Sequence, residues 1–251
     1  MFPIRDDNPH FLTPYVTYGL IAVNVFCWVI VQGMGAEPAL SHSVCNLGLI
    51  PGSVLGNLPP GISFQVGPET WCEPAASGGL TTVLTSMFMH GGWMHIIGNM
   101  WFLWIFGNNV EDSMGHGRFL AFYLLCGVAA ATAQVIADTD SAIPMVGASG
   151  AIGGVMGAYI VLYPRVHVHM LIFLGFFITV IAVPAVFMLG YWLLIQVLGG
   201  FGSIGREGGG TAFWAHIGGF AAGAALVFLF RDPTLVARHP YHGLQRQSTP
   251  T

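Results

Sequence analysis

A serine set between glycines, Gly147-Ala148-Ser149-Gly150, opens an apolar segment that continues Ala151-Ile152-Gly153-Gly154-Val155-Met156-Gly157-Ala158-Tyr159. A serine hydroxyl becomes a useful nucleophile only when a neighbouring base accepts its proton. Two histidines are embedded in apolar segments: His95, followed four residues later by Asn99, and His216 in Ala215-His216-Ile217-Gly218-Gly219. His216 is the candidate base. No Asp or Glu lies in the spans that carry these residues, so the set reads as a Ser149–His216 dyad without a third member. A tetrahedral intermediate also needs donors for its oxyanion. Backbone N–H groups near Ala148 and Ser149 are free by geometry at a helix start. His95 and Asn99, at i and i+4 on one helix face, could add side-chain donors. The plainer reading of Gly147 and Gly150 is packing, since small residues let membrane helices approach closely, with Ser149 incidental between them.

Placement of these residues in a bundle separates the two readings. Hydrophobic residues make up 54% of the chain and charged residues 7%, against about a quarter charged in a soluble domain. The chain therefore reads as an all-α polytopic membrane protein in one domain. Its net charge of −4, without a basic run, gives nucleic acid nothing to bind. A span needs roughly 20 apolar residues. Six segments qualify: about Tyr15 to Met34, Met94 to Val110, Phe119 to Ala137, Val146 to Tyr163, Val183 to Leu198 and Thr211 to Phe230. Residues 1–14 form an N-terminal segment, 15–230 a six-span domain, and 231–251 a polar tail expected to be disordered. Residues 35–81 form a long loop with room for short helices of its own, and Gly199 to Gly210 a glycine-rich one. Pro184 suits the first turn of a helix, which leaves Val166 to Ala182 as a connector at the membrane interface.

All seven basic residues are arginine. With a cytoplasmic N-terminus, the inner segments hold Arg5, Arg118, Arg165, Arg231, Arg238 and Arg246, and the outer ones hold Arg206. That is the positive-inside bias, so both termini are expected in the cytoplasm and the 35–81 loop outside. Cys45 and Cys72 in that loop could pair if it faces an oxidising compartment. The second, fourth and sixth spans then all enter from the outer face. At a rise of about 1.5 Å per residue, His95, Asn99, Ser149 and His216 fall at similar depth. Polar residues inside spans are costly and point to function, and four at one level are hard to ascribe to chance. Gly153 and Gly157 on the fourth span, with Ala215, Gly219 and Gly223 on the sixth, form small faces that would bring His216 toward Ser149.

Three motifs carry a family resemblance. His90-Gly91-Gly92-Trp93-Met94-His95 continuing to Asn99, Gly147-Ala148-Ser149-Gly150, and Ala215-His216-Ile217-Gly218-Gly219 through Gly223 resemble, in order, those of rhomboid intramembrane serine proteases of the prokaryotic six-span type. The N-terminal Phe2-Pro3-Ile4-Arg5-Asp6-Asp7-Asn8-Pro9 is similar as well. The resemblance implies Ser149 as nucleophile, His216 as general base, and His95 and Asn99 in the oxyanion site. It implies single-span membrane proteins as substrates, cut near their outer end in the lipid bilayer of a prokaryotic plasma membrane, with no metal or other cofactor. The chain departs from the pattern at Gly153, where some members carry a tyrosine stacked under the histidine, and at Trp71-Cys72, where a Trp-Arg pair is often found.

Other residues read plainly. Glu111-Asp112 caps a helix or pairs with Arg118, His90 orders the loop end or sits at the interface, and His167 and His169 are interface residues. Trp93, Trp101 and Trp104 are lipid-facing or interfacial anchors. His42, His239 and His242 lie in loops or tail. A transporter would want polar residues at several depths, whereas the inner halves of these spans are almost wholly apolar. A metalloprotease would want HExxH, which is absent. A catalytically weak or inactive relative that binds membrane proteins is the alternative to the protease.

Overall fold

The computed structural model describes residues 2–59, 61–67, 70–74, 79–175, 177–204 and 210–242. Strand β1 (Phe2–Asp6) precedes helix α1 (Tyr15–Phe26), which runs on through a π turn at Cys27–Val31. The long loop contains α2 (Ala39–Leu47), α3 (Pro51–Leu55), the short strands β2 (Phe64–Gln65) and β3 (Trp71–Cys72), and α4 (Thr82–Thr85). Helices α5 (Trp93–Met114), α6 (His116–Ala137) and α7 (Ser149–Leu162) follow. Then come β4 (His167–Leu174), β5 (Phe177–Pro184), α8 (Ala185–Ser203), α9 (Phe213–Phe230) and α10 (Pro233–Arg238). Among the described residues, α6, α8 and α9 are long and apolar enough to cross a membrane, whereas the apolar stretches Tyr15–Val31 and Ser149–Leu162 are shorter.

Helix α7 is the centre of the bundle. From Gly150 to Tyr159 every residue is buried, as expected of a helix apolar on all sides. It packs on α9, α6 and α5. A Cβ on Gly219 or Gly223 would run into the carbonyl oxygen of Gly150 or Gly154, and one on Gly157 into that of Phe220. The backbones of α7 and α9 therefore touch directly, which only small residues permit. The small faces read from the sequence do meet.

The far end of the bundle from Ser149 is pinned by acids. Glu111 accepts from the backbone N–H groups of Val16 (3.0 Å) and Thr17 (2.9 Å) and from the Thr17 hydroxyl (2.7 Å). It thereby caps α1, whose first turn has N–H groups without intrahelical partners. Asp112 takes the N–H groups of Phe11 and Leu12 at 2.7 and 2.9 Å. The pair caps, and Arg118 reaches Asp232 instead, at 3.4 Å.

The structure corrects the all-α expectation. It is mostly helical, but the 166–182 connector folds as the β4–β5 hairpin, which also takes Val183 and Pro184 from the expected start of the fifth span, and β1 joins it in an antiparallel sheet of order β1-β4-β5. The physical cause is local: Val166, Val168, Ile172, Ile178, Thr179, Val180, Ile181 and Val183 are β-branched, and Gly175 turns the chain at φ +62°. Val168, Met170 and Ile172 alternate inward and are buried, the period of two that a strand imposes. Trp101 donates from Nε1 to the carbonyl of Pro3 at 2.6 Å, tying β1 to α5.

Two boundaries move as well. Helix α8 continues to Ser203, so residues 199–203 of the supposed glycine loop are helical, while 205–209 lie outside the described residues. The tail is not wholly disordered: Asp232 caps α10 through Thr234 N–H at 2.8 Å, with Pro233 at the first helical position. Beyond it, His239 is fully buried, its ring 4.8 Å from that of Tyr163. Residues 243–251 of the expected disorder lie outside the described residues. In the long loop, Cys45 and Cys72 form a disulfide that links α2 to β3, over a small core with Ile50, Leu58, Phe64 and Val66.

Candidate active site

Three helices begin at one end of the bundle, and each contributes near its start. Ser149 is the first residue of α7, with Ala148 at its N-cap. His216 lies in the first turn of α9 and His95 in that of α5. The first N–H groups of a helix have no partner within it, so this end gathers exposed donors as well as the side chains.

The His216 Nε2 atom stands 2.8 Å from the Ser149 hydroxyl. Direct backbone contact between α7 and α9 sets that distance, since a Cβ at Gly219 or Gly223 would meet the carbonyl of Gly150 or Gly154, while one at Gly150 or Gly154 would meet Ala130 or Cys126 of α6. Gln134 of α6 accepts the Ala215 N–H at 3.3 Å, one of the free donors in the first turn of α9. The helix carrying His216 is thus capped from α6.

Gly147 cannot be another residue, for two independent reasons. Its φ of +129° lies in the region that side chains disfavour. A Cβ there would also sit 2.7 Å from His95 Nε2. The backbone N–H of Gly147 donates to the Ser86 carbonyl at 2.9 Å, which fixes the turn leading into Ser149.

His95 has a defined tautomer. The Gly91 N–H donates to its Nδ1 at 3.2 Å, which leaves the proton on Nε2, the atom facing Gly147. Asn99, one turn further along α5, is 6% exposed, and its side-chain nitrogen is buried with no hydrogen-bond partner among the described residues. Buried donors are ordinarily satisfied, which makes this one a candidate donor to an oxyanion. His90 lies behind His95, fully buried, with the rings edge to face at 5.2 Å. Gln32 grips its backbone on both sides, accepting from His90 N–H and donating to its carbonyl, each at 2.8 Å. Gln32 thus orders the loop end through the His90 backbone, and the buried His90 ring is not an interfacial side chain.

The missing tyrosine at position 153 has a structural counterpart. A Cβ on Gly153 would stand 3.1 Å from the His216 carbonyl oxygen, so α9 lies too close for a large side chain there. Support for the His216 ring comes instead from α8. The Trp192 ring lies 5.7 Å away at 38°, and the Gln196 side-chain oxygen is 2.8 Å from His216 Nδ1. Sequence reasoning passed over Gln196, Gln134 and Trp192. The two glutamines carried a usable signal, being amides inside otherwise apolar spans. A small cleft of about 20 Å³ lies beside Ser149 and is lined in part by Ala130, Ala131, Met145, Gly150 and Ala215.

A family model described as the Rhomboid domain matches residues 77–233. The chain is 35% identical over 153 residues to rhomboid protease GluP of Bacillus subtilis (strain 168), a match covering 60% of this chain and 27% of that protein. It is 29% identical over 168 residues to Rhomboid-like protease 5 of Toxoplasma gondii, covering 65% and 17%. With mitochondrial Rhomboid protein 1 of Saccharomyces cerevisiae it shares 28% over 148 residues, covering 57% and 39%. The chain spans well under half the length of each of these relatives.

Proposed function

The chain belongs to the rhomboid family, and from that membership we propose that it is an intramembrane serine endopeptidase working through a Ser149–His216 dyad. The observation that carries this reading is the 2.8 Å bond from the Ser149 hydroxyl to His216 Nε2. In it, His216 takes the hydroxyl proton as Oγ attacks the scissile carbonyl, and returns it to the leaving amine. The oxyanion meets the Ser149 backbone N–H at the start of α7, with His95 Nε2–H and the unpaired Asn99 amide as further donors. Water then releases the acyl group. No cofactor enters these steps.

The substrates in this proposal are single-span membrane proteins cut near their outer end. The helices α1 and α5 to α9 form six spans with both termini cytoplasmic, in a prokaryotic plasma membrane. The arginine distribution supports that orientation, and so does the Cys45–Cys72 disulfide, which belongs on an oxidising side. The alanine- and glycine-walled cavity beside Ser149 suits a small side chain of the substrate.

A fluorophosphonate probe tests the dyad. It is expected to label Ser149 in the membrane-reconstituted protein, and His216→Ala is expected to cut labelling by a factor on the order of 10⁴ or more. Undiminished labelling of His216→Ala would overturn the dyad. A wild-type chain that neither labels nor cleaves would favour a relative that binds membrane proteins without cutting them.

A further inference from the structure

Helix α8 is a strongly apolar helix with one amide in its middle. Gln196 is among its few buried residues, at 7% exposure, on a helix whose Phe187, Leu194, Leu198 and Phe201 are open to the surroundings. An amide inside a span is costly unless satisfied, and both ends of this one are. Its nitrogen donates to the Trp192 carbonyl at 3.3 Å, and its oxygen lies 2.8 Å from His216 Nδ1. The bond to Trp192 fixes which way the amide points. A flipped amide would turn its oxygen toward the Trp192 oxygen and its N–H toward the ring.

We propose that Gln196 is a positioning residue for His216, accepting the Nδ1–H and thereby holding the lone pair on Nε2 toward Ser149. The proposal rests on the dyad reading above. A neutral imidazole has two tautomers, and which nitrogen carries the proton is set by the bond the other makes. With an acceptor on Nδ1, the ring can accept from Ser149; with the proton on Nε2, it cannot. When Ser149 gives up its proton to Nε2, the Nδ1–H stays bonded to the amide oxygen, and the proton leaves again from Nε2. Gln196 gains and loses no proton. Trp192, one turn earlier on the same face of α8, flanks the ring, so one helix face supplies both orientation and tautomer. The titratable group acting on His216 from α5 is His95. The side chains turned toward this end of α9 by α6 and α8 are neutral: Gln134, Trp192 and Gln196.

The test compares Gln196→Leu and Gln196→Glu with the wild type in liposomes, using a single-span substrate and protein whose histidine rings carry ¹⁵N. Gln196→Leu is expected to lower kcat by about tenfold to a hundredfold, with KM within about twofold, and His216 should populate both tautomers in the ¹⁵N spectrum. Gln196→Glu keeps the acceptor. It is expected to preserve the Nδ1–H tautomer, recover most of the lost kcat, and move the acid limb of the pH profile upward because a carboxylate favours the imidazolium. A Gln196→Leu protein with wild-type kcat and an unchanged His216 spectrum would overturn the proposal. So would Gln196→Glu with an unmoved pH profile. The spectrum reads the Gln196 contact even in a chain that hydrolyses nothing, so failure of the dyad reading remains distinguishable from failure of this one.

Discussion

The carboxylates at one end of the bundle and the surroundings of Ser149 at the other are buried differently, although Asn8 and Asn109 at the acidic end also keep buried side-chain atoms without a partner among the described residues. At the end away from Ser149, Glu111 and Asp112 are fully buried, and their carboxylates are saturated by backbone and hydroxyl donors of residues 11 to 17. His116 adds a bond to Glu111 at 2.6 Å. A buried charge is tolerable only with such pairing, and the result is a lock between the chain leading into α1 and the end of α5. At the Ser149 end no carboxylate takes part, and the Asn99 side-chain nitrogen has no partner among the described residues. Saturated polar clusters hold a fold together, whereas incompletely satisfied ones leave room for a reacting group. On the proposed reading, the acidic end serves stability and the Ser149 end serves chemistry.

Asn99→Ala should break that assignment most sharply if it is wrong. Loss of an oxyanion donor typically costs about a hundredfold to a thousandfold in rate, so kcat on a membrane substrate should fall by that factor. The amide nitrogen has no partner to lose among the described residues, so the melting temperature should stay within about 2 °C of wild type. A large drop in melting temperature with unchanged kcat would move Asn99 into the structural class.

Glu111→Ala should give the reverse signature. It leaves the Val16 and Thr17 N–H groups buried without their acceptor, at a cost of about 3 kcal/mol. The thermal midpoint should fall accordingly, while the fraction still folded labels at Ser149 at the wild-type rate. Slow labelling of well-folded Glu111→Ala protein would mean that the two ends are coupled.

The division also explains what could be read from the residues. Apolar runs located α1 and α5 to α9, and the expected common level of Ser149, His216, His95 and Asn99 came from chain direction, because helices convert sequence distance into depth. The sheet escaped because an apolar run of this kind is ambiguous between strand and helix, and because β1 lies about 165 residues from its partner β4. The Gly175 turn and the β-branched run were local signs of it. Gln196 was visible as an amide in a span, but its partner across the helix interface was not. The Cys45–Cys72 pairing likewise needed the fold of the loop to bring α2 beside β3.

The strap made by β1 tests the comparison at its finest. The Tyr159 hydroxyl, on the same helix as Ser149 but at its other end, donates to Asp6 at 2.5 Å, so the strap touches the central helix far from the dyad. Burial pushes the Asp6 carboxyl up to about 6, with the Tyr159 bond opposing it, against about 3.9 in an unfolded chain. The folded state therefore favours the neutral acid. Its contribution is complete below about pH 4 and is lost as pH rises through about 6. Discounted for the partial exposure of the group, this amounts to about 1 kcal/mol, or roughly 3 °C in Tm, between pH 4 and pH 8. Asp6→Asn cannot ionise and should flatten that part of the profile while leaving the pH dependence of Ser149 labelling as it was. If Asp6→Asn instead shifts the labelling profile, the strap acts on the dyad through α7, and the separation between a structural end and a chemical end does not hold.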